Sequence, residues 1–324
     1  MFIDLIDLVN MQALKTILDP ADVNLIVYHA NCSDGFGAAL CGYLIHGDKI
    51  NYYAAKYLQP GKDDLTLLKS IDFLRSKGVD PKILMVDFSY QRPFLLKLKS
   101  MVSSLIVLDH HETAMKDLSD LEFCHFDMKK SGARLAWEYF FPTQPAPLVI
   151  RYIEDRDLWK WEMPKSREFS AAFYTFTKFE FPDYAQFIIR SGDNWLDNVP
   201  LIETYINKGS VINEYLACLI GHKKKNAKVI MSKNGKSIAL IDEPHYASEM
   251  GEALAQEYDY ALLFYADLDT NTIKCSLRST AQKSESHCGK FAKQFGGGGH
   301  PQASGFVWSK SMSELIPTLE SMDV

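Results

Sequence analysis

Leu105-Ile106-Val107-Leu108-Asp109-His110-His111 is the stretch that decides the fold: an unbroken apolar run that stops at an acid and two histidines. A half-exposed strand would alternate apolar with polar residues, so a continuous run suits a strand buried on both faces, as a parallel sheet requires. The same grammar occurs twice upstream, in Leu25-Ile26-Val27-Tyr28 before His29 and in Ile83-Leu84-Met85-Val86 before Asp87. Segments 34–46 and 92–101 read as crossover helices, which makes the fold class α/β, with a parallel sheet and helices on both of its faces. Ligands of open parallel sheets collect beyond the carboxyl ends of the strands. All three polar clusters are therefore expected on one rim.

Working outward, residues 1–18 place Phe2, Leu5, Ile6, Val9, Leu14 and Ile17 at helical spacing and stop at Asp19-Pro20, the pattern of a packed amphipathic helix. A helix is expected to open at Ser131-Gly132, a Pro-rich loop to run from Pro142 to Pro147, and a second helix to lead into Glu154-Asp155-Arg156-Asp157. The stretch 166–222 reads as mainly helical, followed by Lys223-Lys224-Lys225. A chain of 324 residues exceeds the usual size of one core. The expected domains are 1–222 and a smaller mixed α/β domain over 223–324, with strands at 228–231, 237–241, 260–265 and 272–277 and a helix near 248–257.

Nearly half the residues are apolar and the formal charge is −6, which argues against a protein that coats long nucleic acid by electrostatics. A short anionic substrate held by metal ions remains compatible. No window reaches the roughly 18 uninterrupted apolar residues of a membrane span, and Asp4 and Asp7 stand where a signal peptide carries positive charge. A cytoplasmic location without membrane association is expected, and a homodimer is compatible with the sequence. Cys32, Cys41, Cys124, Cys218, Cys275 and Cys288 lack CxxC pairing and read as reduced thiols.

Two adjacent histidines at a strand end point differently, so one can ligate a metal while the other faces substrate. With His29, Asp34 and Asp87 on the same rim, carboxylates and imidazoles together suit a divalent cation such as Mn²⁺, Zn²⁺ or Fe²⁺. Taken singly, Asp87 and Asp34 could cap helices and His29 could be a core histidine; gathered without a cation, the group would be costly to bury. Glu154-Asp155-Arg156-Asp157-Leu158-Trp159 supplies a further acid, Asp155 by preference and Asp157 otherwise. In the second domain Arg278, after a strand, and the run Gly296-Gly297-Gly298-Gly299-His300 suit anionic oxygens, the arginine as a fork and the glycines as a nest of backbone N–H groups.

In order and spacing these motifs resemble the DHH phosphoesterase superfamily, in its branch that joins a DHH domain to a DHHA1 domain. The resemblance covers nearly the whole chain: Tyr28 to Gly35, Val86-Asp87, Asp109-His110-His111, Glu154 to Asp157, and the Gly296 to His300 loop. It is nearest to members similar to nanoRNases and cyclic-dinucleotide phosphodiesterases. It implies an active site in an interdomain cleft and a pair of metal ions, usually Mn²⁺, with Mg²⁺, Co²⁺ or Fe²⁺ as variants. Their ligands would be His29, Asp34, Asp87, Asp109, His110 and Asp155, with Asp87 bridging. Asp87, Asp109 and His111 would be catalytic, His111 touching the scissile phosphate, and Arg278, Ser279, Gly297, Gly298, Gly299 and His300 would bind substrate. The expected reaction is hydrolysis of a short oligonucleotide or a linear or cyclic dinucleotide to mononucleotides by a metal-activated water. Pyrophosphate or polyphosphate hydrolysis, and a nucleotide sensor without turnover, are the rival readings. One departure stands out: Cys32 occupies a first-motif position where the family carries aspartate, so that Asn31 or Cys32 would have to substitute as ligand.

Overall fold

The computed structural model describes residues 12–58, 61–283 and 285–324. Of the N-terminal helix, residues 12–17 (α1) are helical, and the positions of Phe2, Leu5, Ile6 and Val9 lie outside the described residues. The chain divides into two compact units, Met1–Asn213 and Glu214–Val324.

In the first unit β1 (Leu25–His29), α2 (Ser33–His46), β2 (Asn51–Ala55), α3 (Leu65–Ser76), β3 (Lys82–Val86), α4 (Arg92–Met101), β4 (Ser104–Asp109), α5 (Glu112–Leu118) and β5 (Cys124–Phe126) alternate along the chain. They build a sheet of order β2-β1-β3-β4-β5, and every pairing is parallel. The apolar runs sort by parity. Ile26, Leu84, Val86, Ile106 and Leu108 enter one core, while Leu25, Val27, Ile83, Met85, Leu105 and Val107 enter the core on the opposite face. Period-two side chains with both faces covered are the physical reason these strands read as continuous apolar runs.

β1 lies between β2 and β3, so the chain leaves it towards one edge and returns to the other. That switch opens a crevice beyond the carboxyl ends of β1 and β3. Three more helices close the unit over the first core: α6 (Gly132–Phe140), α7 (Leu148–Asp157) and α8 (Ser166–Phe176). Ser131 caps α6, its hydroxyl accepting from the Arg134 amide at 3.2 Å. Next come α9 (Phe181–Ala185), β6 (Ile188–Ser191), β7 (Asn194–Asp197) and α10 (Val199–Lys223), whose last residues belong to the second unit, and they include an antiparallel hairpin where helix was expected. Its turn uses Gly192 at φ 61°, a conformation glycine adopts without strain.

The second unit holds β8 (Lys228–Met231), β9 (Ser237–Asp242), α11 (Ala247–Glu257), β10 (Tyr260–Asp267), β11 (Thr272–Arg278), α12 (Cys288–Lys293), β12 (Gly298–Gly299), β13 (Ala303–Trp308) and α13 (Met312–Ser321). The sheet order is β12-β13-β11-β10-β9-β8. Only β9 and β10 pair in parallel; the other neighbours are antiparallel. α11 covers one face through Met250 and Leu254, and α12 and α13 cover the other through Phe291, Leu315 and Leu319. No helix among the described residues is long and apolar enough to cross a membrane.

Candidate metal centre

His29 ends β1, Asp87 follows β3, and Asp109-His110-His111 ends β4, so parallel register delivers all of them to one rim. Helix ends supply the rest: Asp34 from the first turn of α2 and Asp157 from the last residue of α7. The first turns of α2 and α6 come close because of glycine. A Cβ on Gly35 would stand 2.5 Å from the His29 carbonyl oxygen, and one on Gly132 would stand 2.3 Å from the Asp87 Cβ. The amides of Gly132 and Ala133, at the N-terminus of α6, donate to Asp34 at 2.6 and 2.9 Å.

The gathered donors form two groups, His29 with Asp87 and His111, and Asp34 with His110 and Asp157; within each group the ligand atoms lie within 4.8 Å of one another. Asp87 faces both. Its Oδ2 is 3.6 Å from His29 Nδ1, and its Oδ1 accepts from His110 Nε2 at 3.1 Å. The same His110 nitrogen lies 3.7 Å from Asp34 and 3.5 Å from Asp157.

Charge in this pocket is unbalanced. Burial, then the neighbouring Asp87 and Asp157, push the Asp34 carboxyl well above its usual range. Burial alone would do the same to Asp87, but the hydrogen bond from His110 and the nearby His29 and His111 imidazoles hold it below that range. Burial alone would also lower His110, yet the bond to Asp87 and the charges of Asp157, Asp87 and Asp34 raise it to about 10. Asp87 Oδ2 is buried without a hydrogen-bond partner among the described residues, and Asp87 is held at φ 53°. A buried orphan oxygen is expensive and a strained backbone needs support. Imidazole and carboxylate donors converging on such an oxygen fit a divalent transition-metal ion or Mg²⁺.

Two expected ligands are not among the gathered donors. Asp109 is fully buried, but its Oδ2 accepts from Ser89 Oγ at 2.5 Å, and its Oδ1 accepts from the amides of His110 (2.7 Å) and His111 (3.3 Å) and from His111 Nδ1 (2.6 Å). Its lone pairs hold the two histidines in place. Asp155 turns away as well, accepting from the amides of Glu162 at 2.9 Å and Met163 at 3.4 Å, so the acid α7 presents to the cluster is Asp157. Asn31 is exposed on a turn at φ 57°. Burial and then the charges of Asp87, Asp34 and Asp157 push the Cys32 thiol well up, which keeps it protonated and a poor donor.

In the second unit the expected substrate groups are well satisfied internally. Arg278 donates to the Leu277 carbonyl at 2.9 Å and to Ser248 Oγ at 3.0 Å. Ser279 is buried and donates to the Ser286 carbonyl at 2.7 Å. Gly298 and Gly299 pair with Gly305 and Ser304 in a short ladder, and the His300 amide donates to the Ala303 carbonyl at 2.7 Å. Positive φ occurs at Gly296 and Gly299, and a Cβ on Gly297 would stand 2.1 Å from the Gly305 carbonyl oxygen. Close chain packing thus accounts for much of the glycine run.

Sequence reasoning missed Ser89, which fixes Asp109, and Tyr57, whose ring lies 5.2 Å from His29 and 6.4 Å from His111. Ser89 had a signal, since it lies two residues past Asp87 on the same strand end. Tyr57 had none, because the strand before it was not recognised.

No protein-family model matches the chain. Among solved structures, a DHH domain described as a member of the s1p family of ribosomal proteins is similar over 97% of this chain and 89% of its own, with a TM-score of 0.61 at 14% identity. RecJ from Thermus thermophilus in complex with Mn²⁺ is similar over 98% of this chain and 54% of its own, with a TM-score of 0.47 at 15% identity. The first likeness gives this chain the DHH-domain fold, in agreement with the order of motifs in the sequence. In sequence, uncharacterized protein R106 of Acanthamoeba polyphaga mimivirus is 32% identical over 311 residues, 91% of this chain and 70% of that protein. The chain belongs to the family of that viral protein.

Proposed function

We propose that this chain is a metal-dependent phosphodiesterase that hydrolyses short oligonucleotides or dinucleotides to mononucleotides. The observation that carries the reading is Asp87: buried, backbone-strained, with one oxygen lacking a hydrogen bond among the described residues and a donor group on each side. His29 and Asp87 would hold one cation and Asp34, Asp87, His110 and Asp157 a second, with Mn²⁺ the natural choice for such mixed donors. Bound cations would supply positive charge for the phosphoryl oxygens and lower the pKa of the attacking water.

The protein's own groups do the orienting. Asp109 grips His111 through Nδ1, so the ring nitrogen that works on substrate is Nε2. His111 is therefore assigned to the scissile phosphate and Asp109 to positioning. Asp34, anchored by two amides of α6, is fixed against rotation. Arg278 and the Gly297–His300 turn are the proposed recognition elements of the second unit.

The test is a substrate panel. Purified protein with Mn²⁺ should release AMP from pApA and spare long single strands. Phosphate release from pyrophosphate without AMP release would replace the reading with pyrophosphate hydrolysis. Tight binding of pApA with no turnover would replace it with a sensor.

A further inference from the structure

The turn after α7 holds three residues in the left-handed backbone region: Trp159 at φ 53°, Trp161 at φ 55° and Lys165 at φ 64°. For a bulky side chain that conformation is an outlier, and such strain persists only where the surroundings over-determine it. The usual reason to keep a tryptophan does not apply. Neither Trp159 nor Trp161, nor the facing Tyr174, belongs to a hydrophobic core of the first unit among the described residues.

What the three rings do share is cationic planes. The indoles meet edge to face, 5.0 Å apart at 74°. The Arg156 guanidinium lies 3.9 Å from the Tyr174 ring centre and 5.8 and 6.0 Å from those of Trp159 and Trp161. Arg167 covers Trp161 at 4.3 Å. Tyr174 is 45% exposed, and the Trp161 indole N–H is buried with no acceptor among the described residues. The turn itself is tied down by Asp155, through the amides of Glu162 and Met163.

This assembly stands beside the metal centre. Arg156 precedes Asp157, whose carboxylate lies 3.5 Å from His110 Nε2. The Cα atoms of residues 157 and 159 can be at most about 7.6 Å apart, roughly the reach from a phosphate to its own base.

We propose that Trp159, Trp161, Tyr174 and Arg156 form a nucleobase subsite, which stacks the base of the nucleotide whose phosphate occupies the metal centre. The proposal rests on the phosphodiesterase reading and deepens it by assigning recognition of the base to the first unit. Aromatic and guanidinium planes bind any base through its π-face, which gives affinity with little sequence preference. The unmet indole N–H would become a donor for a base or ribose oxygen once the ring turns outward on binding. A brace that merely held Asp157 would leave that donor unexplained.

The experiment compares pApA with the same dinucleotide lacking both bases, on the full chain with Mn²⁺. The wild type should prefer pApA by about 10- to 100-fold in kcat/KM, the worth of one stacked base. Trp159→Leu should remove most of that preference, and Trp161→Phe part of it. Both variants should leave turnover of the base-free substrate within about twofold and the Mn²⁺ affinity, read by calorimetry, unchanged. Equal wild-type turnover of the two substrates would overturn the subsite and leave the phosphodiesterase reading standing. Variants that slow both substrates alike, or weaken Mn²⁺, would reduce the cluster to a brace. No wild-type turnover of either substrate would defeat both proposals.

Discussion

Each unit of this protein buries acids, and those of the metal centre are treated in the opposite way to Glu243 of the second unit. In the second, Glu243 is 1% exposed and meets the Lys223 ammonium together with the amides of His245 and Tyr246, both at 3.1 Å. Burial pushes its pKa up, but those partners win and hold it below the usual glutamate range. In the first, the Asp34 carboxyl is pushed far above its range beside two other acids, and Asp87 keeps an oxygen without a hydrogen bond among the described residues. One arrangement is complete within the protein. The other is short of positive charge, and that shortage marks where chemistry is done, because a fold gains nothing from an unpaired buried carboxylate unless a ligand completes it.

The sharpest break is Asp87→Ala. Removing the one acid shared by both donor groups should abolish turnover of pApA under any substrate assignment, read as AMP release at saturating Mn²⁺. Activity within an order of magnitude of wild type would refute the metal centre. If the pocket is short only of a cation, Mn²⁺ at about a hundred times its Kd should also stabilise the wild-type protein by about 2.7 kcal/mol. The variant should lose that gain.

A finer cut separates the neighbours on α7. Asp157→Asn should weaken Mn²⁺ by about 10- to 100-fold, in keeping with loss of a ligand or its support. Asp155→Asn should leave the Mn²⁺ midpoint alone and cost about 1 kcal/mol of stability, since an amide oxygen still accepts one of its two backbone bonds. Calorimetric titration of both variants gives the answer, and the reverse order would return Asp155 to the ligand set.

That pair also shows where sequence reading stops. Residues two apart on a helix point about 200° apart, so one acid of the two faces the cluster, and which one depends on a rotation set by packing rather than by the motif. The strand-end residues were legible for the opposite reason. Continuous apolar runs announce buried parallel strands, and parallel strands deliver their last residues to one rim whatever the packing. β2 escaped notice because Asn51-Tyr52-Tyr53-Ala54-Ala55 lies at a half-exposed sheet edge, and β5 because three residues carry no period. The saturation of Asp109 was hidden too, since its partner Ser89 comes from a different strand end.

The smallest expected effect tests the other side of the comparison. Glu243 has a depressed pKa, so its contribution to stability is present above the ordinary glutamate value and is lost as pH falls through its lower, folded value. Glu243→Gln should therefore cost about 1–2 kcal/mol at pH 7, the worth of a buried charge-assisted bond to Lys223. The difference between wild type and variant should shrink towards zero as the pH drops below about 4, read by denaturant melts at each pH. A gap that stays constant on acidification would mean that Glu243 serves through its shape and not its charge. The contrast with Asp34 would then rest on packing alone.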